Sequence, residues 1–210
     1  VYKGKVLEAG PDSHIYAGLK PGNTADDLRQ AIGKGTVADH LTGFIPQPGD
    51  AILIPAGTVH SLGDLVVFEV QQNSDVTFRL YDWDHVDAKT GQGRPLQVDQ
   101  AIACIDFAQA AVSSVAPVVE AVEPMRRERL ILCEHFGVWR LTGESPFPVG
   151  AEGLPRVLVS LDGDGQLEYG GINYAVGKGD VLLLPAVVGA CEFQPRSAVC
   201  LLEISLPDKA

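Results

Sequence analysis

The feature that most constrains the fold is an internal repeat. Gly49-Asp50-Ala51-Ile52-Leu53-Ile54-Pro55-Ala56 returns as Gly179-Asp180-Val181-Leu182-Leu183-Leu184-Pro185-Ala186, at a constant offset of 130 residues. Such a match points to two copies of one folding unit. In each copy a Gly-Asp turn feeds four apolar residues. A proline, which lacks an N–H, then ends their pairing. A short apolar run between turn signals reads as a buried strand. The copies diverge immediately afterwards. The first continues Gly57-Thr58-Val59-His60 and the second Val187-Val188-Gly189-Ala190, so Ala190 stands where the first copy has His60.

The remaining segments read mostly as strands. Residues 65–71, 76–81, 129–134, 137–141, 156–161, 166–169 and 198–204 are short apolar or alternating runs between turn residues. Asp162-Gly163-Asp164-Gly165 predicts a hairpin. Two short helices are expected. One covers 24–32, with Thr24 and Asp27 as a capping box and Gly33 as the stop. The other covers 98–107, where Val98, Ala101, Ile102 and Ile105 share a face. Residues 113–124, with Pro117 and Pro124, read as a linker or irregular cover.

Composition narrows the function. Twenty-seven acidic against sixteen basic residues give a net charge of −11, which argues against a nucleic-acid partner. The longest apolar run, 181–191, is too short for a spanning helix and contains a proline, so no membrane partner is expected. Cys104, Cys133, Cys191 and Cys200 show no metal-binding spacing. They read as buried thiols in a reducing cytoplasm, with a Cys191–Cys200 bridge as the alternative.

The stretch from Gly49 to His60 reads G-x5-P-x-G-x2-H and resembles the second conserved motif of cupin barrels. Gly57 allows a tight reversal, and His60 opens the return strand as an imidazole able to ligate a metal. The alternative is a histidine satisfied by hydrogen bonds in a turn. Downstream, residues 69–82 read Glu-Val-Gln-Gln-Asn-Ser-Asp-Val-Thr-Phe-Arg-Leu-Tyr-Asp. This run, with Ala56-Gly57-Thr58-Val59-His60-Ser61-Leu62-Gly63, Gly93-Arg94-Pro95-Leu96 and Tyr16-Ala17-Gly18-Leu19-Lys20, resembles the type I mannose-6-phosphate isomerases in their shorter bacterial form, members of the cupin superfamily. The resemblance runs from about residue 6 to the end and is weakest in the second copy.

That resemblance implies a mostly β fold of two cupin-like (jelly-roll) barrels with a few short helices. Residues 1–85 would form the first barrel, 86–124 a helical connector and 125–210 a second, metal-free barrel. It implies a zinc-dependent isomerase interconverting mannose 6-phosphate and fructose 6-phosphate, with His60 on a zinc-ligand position and Arg79 on the catalytic arginine. A guanidinium keeps its charge and offers paired donors to an enediolate or a phosphate. Read without the resemblance, Arg79 is an ordinary surface residue of a strand. Lys20 and Arg94 are weaker candidates for the substrate phosphate. Trp83 and Tyr81 read as packing.

The sequence also departs from the family. The family's upstream Gln-x-His pair and its glutamate after Gly-Lys have no counterpart; Gly4-Lys5 is followed by Val6 and Leu7. His14, His40, His85 and His135 make no clear ligand set, and Glu8 and Glu69 are the nearest carboxylate candidates. The expectation is a chain matching the C-terminal two-thirds of an isomerase, its zinc site cut in half and its first barrel left with an open sheet edge. A swapped strand or a homo-oligomer would cover that edge. The alternative function is a catalytically inactive cupin module that binds a sugar or serves as an assembly partner.

Overall fold

The computed structural model describes residues 2–74 and 76–207. The chain divides into two compact units, Val1–Ser114 and Val115–Ala210.

The first unit is organised by one long strand, β1 (Tyr2–Leu19). Next come α1 (Ala25–Lys34), a 3-10 turn at Val37–His40, β2 (Leu41–Phe44), β3 (Ala51–Ile54) and β4 (His60–Gln71). After them lie α2 (Val98–Cys104) and, at the junction, β5 (Ser114–Val115). The sheet order is β2-β1-β3-β5, with β4 along the other edge of β1. All pairings of β1 are antiparallel. The first half of β1 pairs with the second half of β4, from Tyr2↔Gln71 to Ala9↔Leu65, and the second half with the first, from His14↔Gly63 to Ala17↔His60. The ladder breaks at a bend. There Ser13 donates to the Asp64 carbonyl and accepts from Gly10 N at 2.7 Å, and Asp64 takes a left-handed φ of 60°. Val6, Ile15, Ala17, Ile52 and Ile54 form the core beneath the sheet. A second cluster gathers Leu28 and Ala31 of α1, Ala101 and Ile102 of α2, and Leu80.

The second unit contains β6 (Val118–Ala121), β7 (Arg126–Leu132), β8 (Gly137–Gly143), β9 (Phe147–Gly150), β10 (Arg156–Asp162), β11 (Gly165–Tyr169), β12 (Ile172–Val176), β13 (Val181–Leu184), β14 (Ala190–Pro195) and β15 (Val199–Ser205). They form two antiparallel sheets, β13-β10-β15-β8-β7-β6 and β12-β11-β14-β9. The core includes Phe147 and Phe193, with ring centroids 5.4 Å apart, and Leu141, Leu158 and Leu201.

The repeat persists in hydrogen bonds. Gly49 N donates to Val6 O and Val6 N to Asp50 O, both at 2.9 Å. Gly179 N donates to Ser160 O at 2.8 Å and Ser160 N to Asp180 O at 3.0 Å. Each aspartate also accepts from the backbone three residues earlier: Gln47 N reaches Asp50 at 2.9 Å and Gly177 N reaches Asp180 at 2.8 Å. Gly49 and Gly179 have φ of 98° and 90°, which an L side chain rarely adopts. The strand plan repeats too. The two halves of β1 correspond to β10 and β11, β2 to β12, β3 to β13, and the two halves of β4 to β14 and β15.

Several local expectations need correction. The Asp162–Gly165 turn is no hairpin: β10 and β11 lie in different sheets, so it is a corner. Its glycines serve close approach, since a Cβ on Gly163 would sit 2.3 Å from Ala198 O and one on Gly165 2.6 Å from Gln194 O. Residues 76–81 form no strand, because Leu80 is drawn into the helical cluster. α1 keeps the Thr24–Asp27 capping box but runs through Gly33 to a left-handed Gly35 with φ of 69°. Residues 113–124 are not irregular: β5 and β6 lie there. Among the described residues no disulfide joins the four cysteines, and Cys104 is exposed rather than buried.

Two glycines separate sterics from backbone strain. Gly163→Ala meets both a φ of 76° and the Ala198 carbonyl, whereas Gly171→Ala meets the same φ with nothing within 4 Å. Urea unfolding is expected to show Gly171→Ala losing about 1 kcal/mol and Gly163→Ala roughly twice that or more.

Candidate functional site

His60 owes its place to the turn before β4. Gly57, with φ of 82°, packs so closely that a Cβ would lie 3.1 Å from Cys104 O and 3.2 Å from Asp106 N. Asp106 N returns a hydrogen bond to Gly57 O at 3.0 Å, tying the turn to the segment after α2. Thr58 N closes the turn on Pro55 O at 3.3 Å. His60 is exposed, and its Nδ1 lies 2.9 Å from Thr58 O. A carbonyl oxygen can only accept, so Nδ1 carries a proton in this contact.

Glu69 is the acid that feels this imidazole. Partial burial raises its carboxyl above the ordinary value, and the charge of His60 pulls it back in part. The two side chains stand on opposite halves of the bent β4.

Arg79 leaves β4's ladder behind. Its backbone is gripped from both sides by Gln97, whose Oε1 accepts from Arg79 N at 3.0 Å and whose N donates to Arg79 O at 2.9 Å. A side-chain amide thus takes the place of a strand neighbour. The Arg79 Nε lies 3.5 Å from Asp82 Oδ1. Arg94 holds the same carboxylate with two donors, at 2.7 and 2.6 Å. This forked pairing fits guanidinium geometry. Asp82 therefore brings Arg79 and Arg94 together. Lys20 is engaged elsewhere, donating to Asp39 O at 2.8 Å.

The aromatic residues beside this segment pack on one another. Trp83 stacks on Tyr16 with centroids 5.4 Å apart and donates to Ser61 Oγ at 3.1 Å. Tyr81 meets Trp83 edge-on at 5.6 Å and donates to Asp84 at 2.8 Å. The sequence reading left Asp82 and Gln97 without roles. Asp82 is marked in the sequence as the last residue of the 69–82 run and by standing three residues after an arginine, whereas Gln97 carries no such mark.

A resident zinc ion needs at least three protein ligands. Among the described residues no group of three or more His, Cys, Asp or Glu is placed to hold a metal. His60 and Glu69 make two donors. The other histidines do not complete the set: His14 Nδ1 lies 3.1 Å from Asp12 O, His40 pairs with Asn23, His135 lies 3.2 Å from Glu134, and His85 is exposed. The residues present therefore do not fit a complete zinc site.

No protein-family model matches the chain. Curated relatives do. Mannose-6-phosphate isomerase ManA of Bacillus subtilis is 32% identical over 188 residues, covering 88% of this chain and 58% of the relative. The mannose-6-phosphate isomerase of Streptococcus mutans is 32% identical over 193 residues, covering 90% and 58%. The chain thus spans less than two-thirds of these relatives' length. Among solved structures, the Bacillus subtilis mannose 6-phosphate isomerase superposes with a TM-score of 0.85 at 24% identity, covering 98% of this chain and 64% of that one. A Salmonella typhimurium mannose 6-phosphate isomerase bound to its substrate f6p and zinc gives 0.68 at 11% identity, covering 98% and 66%.

The raised Glu69 carboxyl makes a pH prediction. A folded-state pKa above the unfolded one favours folding at low pH, and that contribution is lost as pH rises through the folded value. Glu69→Gln is expected to match the parent below the ordinary value of 4.5 and to gain on it toward neutrality, read as urea midpoints across pH. An unchanged difference across the range refutes the raised carboxyl.

Proposed function

The chain is a relative of the mannose-6-phosphate isomerases, and we propose that it serves aldose–ketose isomerisation of a phosphorylated hexose, interconverting mannose 6-phosphate and fructose 6-phosphate. The observation that carries this reading is the placement of the signature 69–82: it begins at Glu69 on the strand that His60 opens and ends on the carboxylate that tethers Arg79 and Arg94.

Each residue has a role under this reading. Moving the carbonyl between C1 and C2 requires a proton to leave one carbon and reach the other. Arg79 keeps its charge throughout and stabilises negative charge that develops on the enediolate oxygens. Arg94, half-exposed beside it, offers a further cationic group toward the phosphate. Lys20 is the weaker phosphate candidate, since it is drawn to Asp39. His60 takes one zinc-ligand position, with Nε2 as the donor atom. Zinc, where bound, supplies a Lewis acid for the sugar oxygens. The described residues do not hold it by themselves.

We extend the reading to architecture. The first unit is a catalytic-type cupin barrel built on residues 1–85 and the second, from 125 onward, a barrel without metal; the expected helical connector, 86–124, is shared between them, with α2 packed in the first and β6 in the sheet of the second. The repeated strand plan supports this, as do the curled antiparallel sheets. The placement is cytoplasmic, in keeping with thiols that form no disulfide among the described residues.

The test pairs metal content with turnover. Arg79→Ala is expected to lower fructose 6-phosphate isomerisation by roughly 10²–10³-fold while leaving metal content unchanged. With zinc supplied in excess, His60→Ala is expected to lower the zinc bound per chain, read by plasma mass spectrometry, because it removes a donor at the ligand position. Parent-like turnover and zinc in both variants overturn the assignment.

A further inference from the structure

The chain reverses through a strained turn directly after the 69–82 run. His85 N donates to Asp82 O at 2.9 Å, and the residues between them, Trp83 and Asp84, both have φ of 54°. Two consecutive left-handed residues make a turn of type I′, a conformation dominated by glycine, asparagine and aspartate. Asp84 tolerates it, whereas a bulky tryptophan is an outlier there. Such a residue stays in place only where its surroundings hold it.

The surroundings are specific. The Trp83 ring stacks on Tyr16, and its Nε1 donates to Ser61 Oγ. Tyr16 pairs with Ser61 of β4 on one side and with Gly43 of β2 on the other. A Cβ on Gly43 would lie 3.0 Å from the Tyr16 ring, so the glycine gives that ring its room. His14, two residues earlier on the same face, meets Tyr16 edge-on at 5.3 Å and lies across its partner Gly63, where a Cβ would come within 2.3 Å. Two glycines paired with two rings thus form an aromatic bed on the face opposite Ile15 and Ala17, which are buried in the core. The second left-handed residue is held as well, since Tyr81 donates to Asp84.

What the turn carries is Asp82. Its side chain is 12% exposed, and Arg79 and Arg94 meet at its carboxylate. Gln97 fixes the backbone of Arg79, but it does not direct the guanidinium. We infer that Trp83 is a positioning residue: its ring, bedded on Tyr16, holds the turn and so aims the Asp82 carboxylate at Arg79 and Arg94. The ring acts through Asp82 rather than on a substrate. The geometry stands by itself, and what the two arginines do once aimed rests on the isomerase reading.

The experiment follows the Arg94 Nε proton by NMR, because this group donates to Asp82 at 2.7 Å. The resonance is assigned by its loss in Arg94→Lys. Trp83→Gly relieves the backbone strain but removes the ring. It is expected to speed exchange of this proton with water at least roughly tenfold, with the amides of β3 and β15 unchanged. Trp83→Phe keeps a ring on Tyr16 and gives up the bond to Ser61, and is expected to return exchange to within about threefold of the parent. Parent-like exchange in Trp83→Gly overturns the inference, because the turn then holds without its ring. Equal speeding of the β3 amides also overturns it and makes Trp83 a packing residue. Should Trp83→Gly fail to fold, Tyr16→Leu decides: it removes the bed with Trp83 in place, the same speeding is expected, and parent-like exchange overturns the inference. Turnover separates this inference from the isomerase reading. Trp83→Gly is expected to lower kcat/KM for fructose 6-phosphate by roughly tenfold or more, and Trp83→Phe to restore it. Faster Arg94 exchange with parent-like turnover keeps the positioning and refutes the role given to the arginines. A parent without turnover tells against the isomerase reading of this chain, and the proton exchange then decides the positioning alone.

Discussion

The antiparallel ladder between β1 and β4 is the constraint on which the first unit depends. It brings Tyr2 to Gln71 and Ala17 to His60, so the two ends of the candidate site share one strand. The bend at Ser13 and Asp64 lets the two strands turn together without parting. Hydrogen bonds across this ladder are worth little each in net terms. What makes the arrangement firm is the apolar face that it closes over Val6, Ile15 and Ile52. His60 and Glu69 are placed by this scaffold, whereas Arg79 depends on Gln97 and Asp82 beyond it.

Parts of this were legible in the sequence because they are local. The Thr24–Asp27 box and the Gly-Asp turns involve residues within a few positions of each other, and those contacts appear as read; the strand after the first turn is buried, but the one after the second lies at a sheet edge with Val181 and Leu183 exposed, contrary to its reading as a buried strand. The corner at Gly163 was misread because a Gly-rich turn announces a reversal but not which sheet receives the next strand. Residues 76–81 alternate like a strand, yet Leu80 finds its neighbours on α1 and α2. The site followed the same rule. His60 stood out through its turn, while the grip of Gln97 on Arg79 joins residues eighteen positions apart and leaves no pattern to read.

In the second unit β15 is paired on both sides, with β10 and with β8. Glu203 is withdrawn from water, and a buried carboxylate is tolerable only when paired. Arg127 supplies that pairing and lies over the Trp139 ring at 4.8 Å from its centroid. Trp139 in turn donates to Glu120 at 2.9 Å, which extends the network to β6. Glu203 stands opposite Leu158 as Glu69 stands opposite Gly4, each partner two residues before the one that binds the Gly-Asp turn. One position in the plan thus holds an acid in both units, and in the second it meets a fixed cation.

The separation of paired residues along the chain has a kinetic side. Tyr2 meets Gln71 and Arg156 meets Ser205, so each unit must close a long loop before its central ladder is rewarded. Chains dominated by such distant pairings fold slowly, in milliseconds to seconds by general trend. Until then β4 and β15 are apolar strands with both edges open, in the state most prone to pairing with the wrong neighbour. Speed of closure, more than final stability, then governs how much of the chain reaches its fold intact when it is made in quantity.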